Sequence, residues 1–140
     1  MSYIFILLFF IPLFSMVLTA LVPRKRESLI TAIATVGIWA DVLLYLVILY
    51  QWALGGFTPL TVSSGSVTLS PHYTFDFQWY FDAIAAVFFG LTSIITLLIF
   101  SFSKYYMHRD PGFSRYFGTI LLFFAGLTLI SLSGNFDMLF

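Results

Sequence analysis

The sequence predicts an all-α integral membrane protein with four transmembrane helices and an extracytoplasmic β-hairpin loop. Of its 140 residues, 61% are hydrophobic and only 9% are charged, whereas about a quarter of the residues in a soluble domain are charged. The apolar residues form runs of about 20, the length that a helix needs to cross a hydrocarbon core of roughly 30 Å. In lipid such runs must be helical, because every backbone polar group has to be satisfied within the segment.

Four apolar runs meet this length criterion. They cover residues 3–22, 29–52, 79–102 and 116–132. An outer loop, residues 53–78, joins the second run to the third. We expect all four runs to belong to a single membrane domain, residues 1–140. The first run is longer than the apolar region of a signal peptide, about 7–15 residues, and no basic residue precedes it. We therefore expect this run to be a membrane helix.

The positions of the basic residues predict the orientation of the chain. All six lysine and arginine residues lie in two regions, one after the first run and one around the link between the third and fourth: Arg24, Lys25, Arg26, Lys104, Arg109 and Arg115. By the positive-inside rule both regions face the cytoplasm, or the matrix in an organelle protein. We therefore expect a multi-pass protein of the cell inner membrane with both termini outside. Trp52 and Trp79 are expected at the outer interface, and Tyr105 and Tyr106 at the inner one.

The outer loop contains a β-hairpin signal. The segments LTV, residues 60–62, and VTL, residues 67–69, alternate apolar and polar residues on either side of the turn-like stretch SSGS. Such a pattern predicts two antiparallel strands, which Pro71 separates from the third helix. Because a two-stranded hairpin is marginal alone in water, we expect it to lie across its own helices or to pair with a neighbouring subunit.

Asp41 lies at the midpoint of the second run. On helical spacing it shares a face with Ala34, Gly37, Ile38, Tyr45 and Ile48. A charge at this depth costs at least about 2.5–3.5 kcal/mol if it faces lipid, so Asp41 is expected to face protein or water, or to be protonated. Two interpretations remain: a proton-relay carboxyl, or a structural carboxyl that is hydrogen-bonded to Tyr45 or to an adjacent helix.

Asp82 is expected about one turn inside the outer end of the third helix, where Ser93 and Thr96 continue its face toward the centre. This stripe could form the outer mouth of an ion path. Alternatively, Asp82 stabilises the helix N-terminus, and the hydroxyls bond to carbonyls of their own helix. The predicted proton-path residues are thus Asp82, Asp41, Ser93 and Thr96.

Several other kinds of site find no support in the sequence. The absence of cysteine excludes disulfides and cysteine-ligated metals, and His72 and His108 lie in opposite loops. We find no nucleophile–base pair, phosphate-binding glycine loop or nucleic-acid patch, so we predict no catalytic residue, cofactor, metal or nucleic-acid partner. The mixed-charge stretch around His108 is interpreted as a turn in which Ser114 caps the fourth helix, or as a docking point for a cytoplasmic or peripheral partner.

Three stretches together resemble a known family. They are WYFDAIAAVFFGLTS at residues 79–93, KYYMHRDPGFSRYFGTILLFFAGL at residues 104–127 and SLSGNFDMLF at residues 131–140. They are similar to the antiporter-like membrane subunits shared by respiratory complex I, the multisubunit cation/proton antiporters and related inorganic-carbon transporters. The order of helices, hairpin loop and basic turn fits the same family.

The resemblance implies a role within a larger assembly. Family members are several times longer, and their central Glu and Lys residues belong to helices beyond the equivalent of Phe140. The chain would then supply the N-terminal helices of a proton- or cation-translocating subunit and would not be catalytic by itself. Its expected partners are lipid and either other membrane subunits or the rest of a transporter chain. Residues 138–140 resemble the start of a fifth helix, which indicates either a portion of a longer chain or a split gene. The alternative is a small four-helix scaffold or assembly protein without transport activity.

Overall fold

The computed structural model describes residues 2–23, 25–70, 73–108 and 110–135. In chain order the elements are α1 (Ser2–Leu21), α2 (Glu27–Leu54), β1 (Leu60–Ser70), β2 (Tyr73–Phe81), α3 (Ala83–Tyr106) and α4 (Phe113–Leu132). All four helices are long and apolar enough to cross a membrane, and the two strands form one antiparallel sheet. The predicted class, a membrane protein of four helices and a hairpin, is confirmed. Some residues named in the predictions above lie outside the described residues: Arg24, Pro71, His72, Arg109 and residues 138–140.

The third helix begins later than its apolar run predicts. Helices α1, α2 and α4 begin and end close to the predicted bounds, but α3 spans Ala83–Tyr106 instead of residues 79–102. The cause is the segment 75–81, FDFQWYF, in which every second residue from Phe75 onward is aromatic. This segment continues as strand β2 to Phe81. Asp82 therefore stands at the junction of strand and helix.

The helices form an up-and-down bundle with two different ends. At the end that holds the α1–α2 and α3–α4 connections, called the basic end, the Ser114 hydroxyl donates to the Thr19 carbonyl over 2.8 Å. The opposite end, called the hairpin end, carries β1 and β2. Helix α1 packs against both α2 and α4, and α3 closes the bundle against the same two helices. Gly37 of α2 lies directly against the Ser15 side chain of α1, a close approach that a small residue permits.

Large apolar side chains cover much of the outer surface of the bundle. Phe14 is 65% exposed, Leu91 54% and Phe123 66%. Exposed apolar surface on this scale is typical of a protein that contacts a membrane. The buried core lies between the helices and, at the hairpin end, includes residues of β2.

The hairpin has a different register from the predicted one. Leu60, Thr61 and Val62 pair with Phe81, Tyr80 and Trp79, whereas Val67 pairs with Phe75. The predicted pairing of residues 60–62 with residues 67–69 is therefore wrong, because both segments belong to the single strand β1. The SSGS stretch is a bulge in that strand, between Ser63 and Gly65. Gly65 has a φ of +142°, a conformation that suits glycine.

The hairpin packs on its own helices, which is one of the two predicted arrangements. Trp79 and Phe81 are buried in the core at the hairpin end, and the Phe5 and Trp79 rings stack with their centroids 6.3 Å apart. The chain after α4 then runs beside β2, where the Gly134 amide donates to the Gln78 carbonyl over 2.8 Å. A Cβ atom at Gly134 would lie 2.7 Å from that carbonyl oxygen, so this contact needs glycine.

The aromatic residues at the two ends are placed differently. Tyr105 and Tyr106 are exposed at the basic end, as expected of interfacial rings. Trp52 and Trp79 both lie at the hairpin end, where their side chains are buried. Both are covered because the hairpin folds over them, and the Trp52 Nε1 donates to the Thr58 carbonyl over 2.9 Å.

Candidate functional site

Polar side chains form a buried layer across the bundle, between two apolar clusters. The cluster at the hairpin end consists of Phe5, Leu8, Ile48, Trp52, Trp79, Phe81, Ala85, Ala86, Phe89, Phe124 and Leu132. The cluster at the basic end consists of Ile30, Ala34, Ile38, Phe100, Phe113, Phe117 and Leu121. Along their helices, Asp41, Ser93, Thr96 and Ser15 lie between the two clusters, and all four are buried. We call these four residues the mid-bundle polar layer.

Asp41 is the only acidic residue of this layer. Its side chain is fully buried, with 0% exposure, and neither carboxyl oxygen has a hydrogen-bond partner among the residues that the structure describes. Burial of a polar group without a compensating hydrogen bond is costly. Asp41 therefore stands out from every other acidic side chain described, because those lie at helix ends, in the hairpin or in loops.

The predicted hydrogen bond between Asp41 and Tyr45 is absent. The Tyr45 hydroxyl instead donates to the Ala86 carbonyl of α3 over 2.6 Å, so its single proton is already used. The predicted shared face is otherwise confirmed, since Ala34, Gly37 and Ile38 are buried beside Asp41 on α2. The carboxyl thus faces the interior of the bundle.

Ser93 and Thr96 lie inside the bundle, but their hydroxyl protons are used within α3. Ser93 donates to the Phe89 carbonyl and Thr96 to the Thr92 carbonyl, each over 2.8 Å. This is the local bonding that the alternative interpretation expected. The two hydroxyls keep lone pairs that can accept a hydrogen bond, but they offer no free proton to a neighbour in this geometry.

Asp82 is the N-cap of α3. Its Oδ1 accepts a hydrogen bond from the Ala85 amide over 2.8 Å, and its backbone is extended. The expectation that it lies one turn inside the helix is wrong, because β2 continues to Phe81. At 1.5 Å per residue, the 11 residues from Asp82 to Ser93 span about 16 Å along the helix axis. The structure therefore does not bring Asp82 together with the mid-bundle polar layer.

Comparison with known proteins gives a match for the segment from the end of β1, through β2 and α3, to the start of α4. Residues 67–117 match the family model described as the N-terminus of chain 5 of NADH-ubiquinone oxidoreductase, complex I. The F(420)H(2) dehydrogenase subunit L of Methanosarcina mazei is 39% identical over 59 residues, which are 42% of this chain and 9% of that protein. The NADH-quinone oxidoreductase subunit L of Pseudomonas aeruginosa is 25% identical over 96 residues, 69% of this chain and 13% of that protein.

Residues 67–117 are thus similar to an antiporter-like N-terminal region of the complex I type. Together with the four helices, this makes the chain a multi-pass membrane protein. The chain spans only a small part of the two curated relatives, 9% and 13% of their lengths.

The antiporter-like segment includes some of the predicted site residues but not others. Residues 67–117 contain Asp82, Ser93 and Thr96, whereas Asp41 lies outside them. Asp41 is thus distinguished by its burial and its lack of a partner rather than by the family match. The structure places Asp41 in the same bundle as the antiporter-like helix α3.

Polar contacts connect the helices at the basic end of the bundle. Ser114 lies inside α4, whose N-cap is Gly112, so the predicted capping role of Ser114 is wrong. Its hydroxyl is directed at α1 instead. The Glu27 carboxylate and the His108 ring lie 2.7 Å apart and connect the start of α2 to the α3–α4 turn. These contacts join α1, α2 and the α3–α4 turn at this end.

Sequence reasoning missed two close contacts between helices. One is the burial of Ser15 beside Gly37, and the other is the position of Gly90, where a Cβ atom would lie 2.7 Å from the Tyr45 hydroxyl. A glycine inside an apolar helix was the available signal, since it lets another helix approach closely. The identity of the approaching side chain, however, depends on the three-dimensional packing.

Proposed function

We propose that this chain forms the N-terminal helices of a proton- or cation-translocating subunit in a multisubunit membrane complex, and that Asp41 is its contribution to ion movement. The family match and the two relatives, both named as subunits, support the first part. The observation that carries the second part is the buried carboxyl of Asp41, which has no partner among the described residues.

The cost of burying Asp41 argues for a role beyond packing. A structural residue at this position would be apolar, since the flanking core residues on its face include Ile38 and Ile48. Ionisable residues inside membrane bundles are rare and are associated with proton relays and ion pathways. Asp82 is assigned a structural role at the helix start, because its side chain already has a capping partner.

A scaffold role without transport is the second candidate function. The hydrogen bonds of Ser93 and Thr96 to their own helix favour it, because these residues then have no free proton to pass along the bundle. In this case the chain would support the assembly of neighbouring membrane subunits. The two functions differ in what they predict for a change at Asp41.

The positions of the basic residues support the proposed orientation. The proposed domain comprises residues 1–140 as the N-terminal portion of a larger transporter subunit in the cell inner membrane. Lys25 and Lys104 lie at the basic end, which faces the cytoplasm by the positive-inside rule. The hairpin and both termini then lie outside. Other membrane subunits, with a peripheral subunit on the cytoplasmic side, are the proposed partners.

Substitution of Asp41 within the complete complex tests the proposal. Asp41→Val removes a buried carboxyl without a partner and should leave the thermal stability of the complex unchanged or raised. Ion transport should fall by roughly tenfold or more, as when a proton-transfer group is removed. Transport is measured as dye-detected proton uptake into vesicles that contain equal amounts of complex.

Thr128→Val is the matched control. Thr128 is equally buried, but its hydroxyl donates to the Phe124 carbonyl of its own helix over 2.9 Å. This variant should leave transport near its original rate. Normal transport by Asp41→Val would favour the scaffold function, whereas lost transport together with lost assembly would leave Asp41 a structural residue.

A further inference from the structure

A cleft between α2 and α3 opens on the outside of the bundle, in its basic half. Its volume is about 460 Å³. Ser28, Ser101 and Lys104 line the part nearest the basic end, and Val36, Trp39 and Leu97 line the part nearest the middle of the bundle. The cleft therefore has one polar and one apolar end.

The length of the cleft matches one leaflet of a bilayer. Ser28 and Trp39 are 11 residues apart on α2, which corresponds to about 16 Å along the helix axis. The hydrocarbon core of a membrane is roughly 30 Å thick, so this distance is close to half of it. The apolar part is thus deep enough for an acyl chain, while the polar end lies near the membrane surface.

Seven hydroxyl groups of the described helices donate to a carbonyl four residues earlier on their own helix. Those that do so are Thr31, Thr92, Ser93, Thr96, Thr119, Thr128 and Ser131. Ser28, Thr35 and Ser101 have no such bond within the described part of the chain, and all three line this cleft. Their hydroxyls are available to a ligand.

Lys104 supplies a positive charge at the polar end. It has no carboxylate partner among the described residues, and its ammonium group lies 5.9 Å from the centre of the Tyr105 ring. Lys25 and Arg26 immediately precede α2 and add positive charge at the same end of the bundle. Basic pockets between membrane helices bind anionic lipid headgroups.

We propose that this cleft binds an anionic phospholipid. The phosphate lies against Lys104 and the hydroxyls of Ser28 and Ser101, and one acyl chain follows the apolar part to Trp39. Inorganic phosphate would occupy only the polar end and would leave the apolar part uncovered. The lipid site is independent of the proposed role of Asp41, because it depends only on the outer surface of α2 and α3.

Quenching of Trp39 by brominated lipids tests the proposal. Trp39 is 52% exposed, whereas Trp52 and Trp79 are buried, so the difference between the chain and its Trp39→Phe variant isolates the Trp39 signal. The full chain is placed in phosphatidylcholine nanodiscs that contain brominated phosphatidylglycerol or brominated phosphatidylcholine. We expect the anionic lipid to quench Trp39 at an about fivefold lower mole fraction.

Matched lysine variants show whether the preference depends on the cleft. Lys104→Gln should abolish most of the preference, whereas Lys25→Gln, an exposed lysine that does not line the cleft, should retain most of it. Excess inorganic phosphate should not change the quenching. If Lys104→Gln loses its helical circular dichroism, Lys104→Arg takes its place and should keep the preference. Equal quenching by the two lipids in the unmodified chain, absence of quenching by both, or reversal by inorganic phosphate would overturn the lipid site.

Discussion

At the scale of single residues, Asp82 has a local reason for its position. Its carboxylate accepts the Ala85 amide at the start of α3, and asparagine can make the same bond. We therefore expect Asp82→Asn to preserve both the assembly of the complete complex and its transport rate. Asp82→Leu removes the acceptor and should destabilise α3 by about 0.5–2 kcal/mol. Complex yield from membranes and proton uptake into vesicles provide the two measurements.

A specific result would contradict the purely structural role of Asp82. A transport defect in Asp82→Asn at normal complex abundance would show that the negative charge itself is needed, and would return Asp82 to the ion path. Asp76 offers a comparison, because it is an acidic residue of β2 away from the start of α3. Asp76→Asn should alter neither assembly nor transport.

The sequence predicts which residues are buried better than it predicts their hydrogen bonds. The buried face around Asp41 follows from helical spacing, which depends only on the period of 3.6 residues. The partner of Tyr45 does not, because its hydroxyl could reach either the same helix or the next one. Because Gly90 lets Tyr45 pack closely against α3, the Tyr45 hydroxyl donates to a carbonyl of α3. Asp41 therefore lacks a hydrogen bond from Tyr45.

At the scale of elements, the contact between α2 and α3 depends on the missing side chain of Gly90. A Cβ atom there would lie 2.7 Å from the Tyr45 hydroxyl but 3.4 Å from the ring carbon that bears it. Gly90→Ala should therefore lower the free energy of unfolding by about 1–3 kcal/mol. Tyr45→Phe removes the clashing oxygen, so the double variant should be destabilised by less than the sum of the single changes. Denaturant titration of the four chains measures this coupling.

Gly126 provides the control for Gly90. It lies in α4, and a Cβ atom there would meet nothing within 4 Å. Gly126→Ala should be neutral or slightly stabilising, because alanine favours a helix more than glycine does. Strict additivity of the Gly90 and Tyr45 changes would contradict the packing described here.

The helices and the hairpin differ in how far the sequence defines them. Long apolar runs give the helices directly, because only a helix satisfies the backbone in lipid. The register of the hairpin was not accessible in the same way, since three short alternating segments compete for pairing. The segment FDFQWYF forms the second strand because this pairing buries Trp79 and Phe81 over the helices. The alternating pattern alone does not predict this burial of Trp79 and Phe81.

At the scale of the whole molecule, the two ends of the bundle should face opposite sides of the membrane. The chain contains no cysteine, so single-cysteine variants can be labelled without background. Ser63→Cys, in the exposed part of β1, should react with an impermeant maleimide from outside intact cells. Lys25→Cys, at the basic end, should react only after the membrane is opened. Reversal of the two results would contradict the orientation that the positive-inside rule predicts.

The isolated chain should not carry protons across a membrane. Asp41 is the only acidic residue within the described helices away from their ends, and Ser93 and Thr96 direct their protons to their own helix carbonyls. A relay needs neighbouring groups that accept and release protons across the full thickness of the bilayer, and both apolar clusters interrupt it here. A membrane potential supplies about 2.3 kcal/mol per charge per 100 mV, but this energy cannot drive a proton through segments that lack such groups.

The purified 140-residue chain in liposomes, with a potassium gradient and valinomycin to set the potential, should therefore show the same proton leak as protein-free liposomes. Asp41→Val should match it. Potential-driven flux from the unmodified chain that Asp41→Val abolishes would show that these four helices contain a complete path.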